Sequence, residues 1–168
     1  FQLHVGPMGT DVRGSVKIKS SNPLEYPSIL FNYLSTPNER KEWCEAVRLS
    51  RKIIETEAMS ELMGKELSPG PEVQSDEEIL DFIAREGESA YHPSSTCRMG
   101  FDPLSVTDAD LRVHGIENLR VVDASVFPYV TNGNIYSPVM MVAEKAADLI
   151  LGNQPLKAEN VPFYKKEN

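Results

Sequence analysis

LRVVDASVFPYVTNGNIYSPVMMVAEK, residues 119–145, decides how the rest of the chain is read. Leu119, Val121 and Val122 form a short apolar strand that ends in an acid and two small residues, Asp123-Ala124-Ser125. An uncharged loop rich in Asn, Gly and aromatics follows, and a helix is expected to open at Ser137-Pro138. Serine is a preferred N-cap, and proline suits the first helical position because the N–H it lacks has no partner there. Val139, Val142, Ala143, Ala146, Leu149 and Ile150 keep the three-and-four spacing of a buried helical face. The loop at 132–137 is thus carried to a helix N-terminus, where free N–H groups and the macrodipole favour negative charge. By itself the pattern also describes an ordinary β-turn-α unit.

The 168 residues suffice for one domain with a real core. With 25 acidic and 17 basic residues the net charge is −8, which argues against a nucleic-acid surface. An acidic field suits a cationic ligand and serves solubility equally well. No apolar run has the length of a membrane span, and the start does not resemble a signal peptide. The chain begins at Phe1, inside a strand-like run, and so reads as a piece of a longer protein. Cys44 and Cys97 do not make a disulfide framework. Cys44 falls in a helical pattern as a small core residue, and Cys97 lacks the neighbours of a metal site. No metal is expected.

Along the chain, the run at 14–19 alternates as a half-buried strand, with Val16 and Ile18 on one face and Lys17 and Lys19 on the other. A turn at Asn22-Pro23 leads to a second strand at 28–33. Thr36-Pro37-Asn38-Glu39 reads as a capping box, followed by a helix to about Met59. Trp43, Ala46, Val47, Ile53 and Ile54 are expected inward, and residues 39–42 on a solvated face. Residues 64–74 are a Pro- and Gly-rich loop; Ser75 and Glu78 cap a second helix that buries Ile79, Phe82 and Ile83 and stops near Gly87. Leu111 and Val113 are expected to pair with the 119–122 strand through a turn at His114-Gly115, and the tail from Gly152 to be a partly ordered strap. Strands and helices without regular alternation predict an α+β fold.

Residues 91–100 read YHPSSTCRMG, a loop by its Pro93 and serines. Together with RVHG at 112–115, LRVVDAS-x-x-P at 119–128 and GN-x-x-x-P continuing to AEKAADLI at 143–150, this run makes the chain resemble the C-terminal part of the glucose–methanol–choline flavoprotein oxidoreductases. FQ-x-HVGPM at the start, FNYLST at 31–36 and LSPG-x-x-VQSD at 67–76 bring it nearest the choline-oxidising members.

The resemblance implies a division of the chain. Residues 1–90 would belong to an antiparallel substrate domain, 91–152 would complete the flavin domain with a catalytic His/Asn segment, and 153–168 would be a tail. It implies FAD as cofactor, although the G-x-G-x-x-G fingerprint that holds a dinucleotide is absent here. The N-terminal part of the same protein is therefore an expected partner, and the piece alone is expected to be inactive. His92 matches the catalytic base, a role suited to a group that titrates near working pH; a lone histidine would otherwise read as a satisfied loop or core residue. Asn134 matches its catalytic partner beside the flavin, an amide that can donate to the substrate oxygen. Asp123 and Ala124 match positions near the flavin ribityl and pyrophosphate, and Ile135 and Tyr136 match positions near its pyrimidine ring. Tyr136 is also expected to line the substrate pocket, with Tyr91 and Phe127 flanking it.

The implied reaction is oxidation of choline to betaine aldehyde, with electrons passed to a respiratory acceptor by a cytoplasmic enzyme that meets the membrane through that acceptor. Another primary alcohol, oxygen as acceptor, or a non-catalytic module that keeps the fold are the rivals. Ser95 stands where many relatives have Gly, and 133–138 reads GNIYSP where many have GNTNAP or GNLNAP. The second departure places an aromatic near the flavin.

Overall fold

The computed structural model describes residues 1–154 and 156–162. Its first helix, α1 (Pro37–Ile54), starts where the sequence places a cap: Thr36 Oγ1 accepts from the Glu39 N–H at 3.1 Å, with proline in the first turn. The Glu39 carboxylate was expected to return to the N-cap amide, but it accepts from the Leu34 N–H instead. Glu39 is only 3% exposed, so residues 39–42 do not form a solvated face. The second helix, α2 (Asp76–Glu86), has both halves of its box, Ser75 with Glu78, and its cap-residue Gly87 closes on Ile83. Cys44 and Val47 of α1 meet Ile79 and Ile83 of α2, with Leu34, Trp43, Val73 and Phe82 around them. The helix predicted to reach Met59 ends at Ile54, and a separate 3-10 turn takes Glu57–Met59. Ile53, expected inward, lies on the exposed side.

Arg51 fixes the loop between these helices. Its guanidinium pairs with Glu66 at 2.9 Å and donates to the carbonyls of Gly70 and Val73 at 3.0 and 2.7 Å. A planar fork with several fixed donors can serve three partners at once.

β1 (Ser15–Lys17) and β2 (Ser28–Leu30) pair antiparallel, Val16 opposite Ile29. The face carrying Val16 and Ile18, expected to be half-buried, is exposed. A two-stranded hairpin has no second layer to close over it. β2 stops short of the predicted 28–33 because Asn32 and Leu34 adopt φ of 64° and 60°. This small sheet with three helices is an α+β arrangement.

A second cluster carries the C-terminal half: Leu111, Val126, Phe127 and Ala146, packed with Met99, Val121, Ala124, Ile135, Val139 and Val142. The apolar run at 119–122 contributes one antiparallel bridge, Arg112 to Arg120, rather than a strand. It is flanked by hydrogen bonds from Val113 N–H to Leu119 and from Val121 N–H to Leu111, at 3.0 and 3.1 Å. The intervening turn falls at Gly115, as expected, with φ of 74°. The third helix, α3 (Tyr136–Leu151), begins one residue ahead of the predicted Ser137 cap. It buries Ala146 and ends at left-handed Gly152, leaving Ile150 exposed. Among the described residues no helix is long and apolar enough to cross a membrane. Positions 155 and 163–168 of the predicted tail lie outside the described residues.

Glu39 makes a pH test of this core. Burial, the largest effect, raises its pKa above 4.5, with Asp11 and Glu42 adding to the rise and the Leu34 N–H opposing it. The native state thus holds this proton more tightly than the unfolded chain, and stability falls as pH rises from about 4.5 through the raised value. Glu39→Gln keeps an acceptor for Leu34 and loses the charge. Urea midpoints of the variant should exceed those of the parent near pH 7.5 and converge with them near pH 4.5; a constant offset would show that the carboxylate is not the titrating group.

Candidate active site

The middle of the histidine segment is held by backbone hydrogen bonds. The N–H groups of Ser95, Cys97 and Met99 donate to the carbonyls of Ala124, Ser125 and Val126 at 3.2, 2.9 and 2.8 Å. The segment is irregular, with Ser95 at φ 70° and a turn at 96–97, and it still aims alternate N–H groups at one turn. The 3-10 turn Ala124–Val126 offers its carbonyls one after another, so alternate donors meet consecutive acceptors. The turn itself is set by Asp123, whose Oδ1 accepts from the Ser125 N–H at 2.7 Å. Its floor is the completely buried Val126 and the nearly buried Phe127.

The far end of the segment is clamped as well. Arg98 makes a two-pronged pair with Asp102 at 2.7 and 2.6 Å, and this bond together with Ser105 holds the Asp102 carboxyl far below the usual carboxylate range. Gly100 donates to Thr107 O at 2.9 Å, and a Cβ there would stand 2.4 Å from Ser105 Oγ, which explains the glycine. Thr107 is fully buried and bridges both Met99 and Val113. His114, read from the sequence as a turn residue, also places its Nε2 3.0 Å from Gly100 O. No periodicity could have signalled that contact, which spans fourteen residues.

His92 opens this segment between Tyr91, at φ 57°, and Pro93. It is half-buried, and among the described residues its ring makes no hydrogen bond. Asn134 stands exposed next to Ile135, which packs into the second cluster. Its Oδ1 accepts from the Tyr136 N–H at 3.0 Å and so takes over the capping task predicted for Ser137. Among the described residues the Asn134 NH₂ makes no hydrogen bond, and it is the donor end of the amide. Tyr136 is 70% exposed at the first turn of α3. Phe127, which flanks the same segments in sequence, is a core residue. Two open clefts, of about 530 and 300 Å³, lie around 108–120 and around Arg13, Arg98 and Tyr129; neither is lined by His92 or Asn134.

The candidate residues are an imidazole with no hydrogen bond among the described residues, an amide whose oxygen caps α3, and the start of that helix. Such a set suits oxidation of an alcohol against a bound flavin. The small Ala124 leaves its backbone approachable, and the start of α3 favours an electron-rich ring.

The family model described as GMC oxidoreductase matches residues 10–143, and the chain belongs to that family. An oxygen-dependent choline dehydrogenase of Staphylococcus aureus (strain JH9) is 56% identical over 168 residues, an alignment that covers 98% of this chain and 30% of the relative. Pyridoxine 4-oxidase from Mesorbium loti superposes with a TM-score of 0.81 at 36% identity, over 88% of this chain and 29% of that one. An FAD-dependent oxidoreductase from Chaetomium thermophilum gives 0.78 at 30% identity, over 86% and 25%. The chain thus spans about 30% of the length of the curated relatives it matches.

The burial pattern separates core from site. Phe127→Ala should lower stability by about 3–5 kcal/mol, whereas Tyr136→Ala should change it by less than about 0.5 kcal/mol. Chemical denaturation of the two variants checks this, and a comparable loss in both would make Tyr136 a packing residue.

Proposed function

We propose that the chain is the C-terminal catalytic portion of an FAD-dependent choline dehydrogenase, which oxidises choline to betaine aldehyde. The observation that carries the reading is that Asn134 Oδ1 takes the Tyr136 N–H at the start of α3, in a chain whose motif runs also carry His92. FAD is the cofactor that family membership brings. Bound flavin supplies the two-electron sink for the hydride that leaves the alcohol carbon. His92 takes the hydroxyl proton on its unprotonated ring nitrogen, and Asn134 Nδ2 donates to the oxygen as negative charge gathers there. The product aldehyde is choline less one proton and one hydride, so the step balances. Ala124, Ile135 and Tyr136 approach the cofactor mainly through their backbone, with Asp123 fixing the turn beside them. The remainder of the cofactor site belongs to the N-terminal part of the same protein.

We read the division near residue 90 as functional. It is supported by two separate clusters, one drawn from 34–83 and the other from 99–146. Electrons would leave to a respiratory acceptor, with the enzyme working in the cytoplasm at the membrane face; oxygen is the alternative favoured by the name of the staphylococcal relative. Oxygen uptake measured with and without an added quinone separates the two.

In the intact enzyme, His92→Ala should slow flavin reduction by choline about 10²-fold or more with flavin content unchanged. Asn134→Asp, which keeps the size and loses the donor, should also slow it. Stopped-flow bleaching of the flavin band measures both, and reduction at the parent rate in His92→Ala would remove the base assignment.

Tyr136 carries the substrate reading. A trimethylammonium offers no hydrogen-bond donor, so it is recognised through aromatic faces or a carboxylate. Tyr136→Leu should raise KM for choline well above its effect on the uncharged isostere 3,3-dimethylbutanol. Equal effects would mean that the ring packs without sensing charge.

A further inference from the structure

We infer that Asp123 is a positioning residue for His92, acting through the 3-10 turn rather than through the charge it could present to a flavin. The inference rests on the function proposed above. Residues 123–126 form a local device. Asp123 is extended at φ −159° and ψ −172°, and its Oδ1 receives the Ser125 N–H at 2.7 Å. Its own carbonyl accepts from Val126 N–H, and Ala124 O accepts from Phe127 N–H, both at 3.2 Å. One side chain and two backbone bonds therefore fix three consecutive carbonyls. Those three carbonyls are the acceptors for Ser95, Cys97 and Met99.

Among the described residues nothing else grips the stretch ahead of Met99 comparably. Between 91 and 97 the remaining hydrogen bonds are local ones, from Tyr91 N–H to Ser89 and between Ser94 and Ser95, apart from the long contact of Thr107 Oγ1 with Cys97 O at 3.4 Å. His92 precedes the first rung by three residues, and its ring has no hydrogen bond of its own among the described residues. The imidazole thus takes its place from the ladder, and the ladder from the turn. A single three-residue 3-10 turn is a weak element when left to itself. The short bond to Asp123 removes the competing conformations, as a side-chain acceptor does in an Asx-turn.

A shift of about 1 Å in a positioned group can cost about 10²-fold in rate, so a loosened ladder should appear in chemistry before it appears in binding. In the intact flavoenzyme, Asp123→Ala should lower the limiting rate of flavin reduction about tenfold or more, with little change in bound FAD or in the Kd for choline. Asp123→Asn keeps the Oδ1 acceptor without the charge, and should recover most of that loss. Amide exchange in the same variants gives a readout free of activity: the Ser95, Cys97 and Met99 amides should lose protection in Asp123→Ala and keep it in Asp123→Asn. An asparagine variant as slow as the alanine one, or FAD lost from both, would assign the carboxylate charge directly to the cofactor and overturn the inference. So would full protection of the three amides in Asp123→Ala. A parent enzyme that choline fails to reduce would instead overturn the proposed function, and the exchange measurement would still decide the role of Asp123.

Discussion

Three backbone hydrogen bonds, from alternate residues of the histidine segment to consecutive carbonyls of a 3-10 turn, are the constraint on which the site depends. Segments 91–100 and 119–128 are distant in sequence and rich in irregular backbone. Neither contributes a helix or strand of useful length to the other. What joins them is the need of buried N–H and C=O groups for partners. The apolar floor of Val126 and Phe127 excludes water from beneath the turn, so leaving those groups unpaired would cost on the order of 1–3 kcal/mol each.

The two halves of the chain settle charge in opposite ways. Glu39 is drawn under the start of α1, where burial disfavours its ionised form, and it is retained because it answers the Leu34 amide. Asp102 remains at the surface and is ionised far more readily than an ordinary carboxylate, because Arg98, Ser105 and the Leu104 amide all donate to it. The first arrangement orders the entry to a helix that packs on α2. The second closes the loop after Gly100 and so steadies the end of the histidine segment. Arg51 does the corresponding work for the loop at 64–74, with one guanidinium serving a carboxylate and two carbonyls.

The polarity of Asn134 also follows from a backbone requirement. The first amides of a helix lack partners within it, and α3 begins with no side-chain cap at its N-cap residue. Asn134 supplies the missing acceptor from just outside. The same bond fixes which end of the amide is left to donate. Tyr136, whose N–H makes that bond, leaves its ring exposed.

Much of this was legible in the residues themselves. Local rules are written in short windows, so the Thr36 and Ser75 caps, the glycine stops at 87 and 152, the turn at 115 and the inward face of α2 followed from spacing and cap chemistry. The motif runs single out His92, Asn134, Asp123, Ala124, Ile135 and Tyr136 as the candidate site. Where window rules failed, a distant partner had intervened. Glu39 looked solvated because nothing local announces that it will be buried against Leu34. Residues 119–122 looked like a strand, yet they found one bridge partner and then turned to feed the 3-10 turn. Ser137 looked like the cap, and Asn134 displaced it by reaching the Tyr136 amide first. Phe127 reads only as an aromatic flanking the site segments, and Leu111 and Ala146 enclose it in the core. Sequence alone determined which residue types stand where, because caps, turns and periodicity act over three or four positions. Tertiary structure decided which groups meet, because hydrogen-bond satisfaction and burial are settled between segments that no local pattern connects.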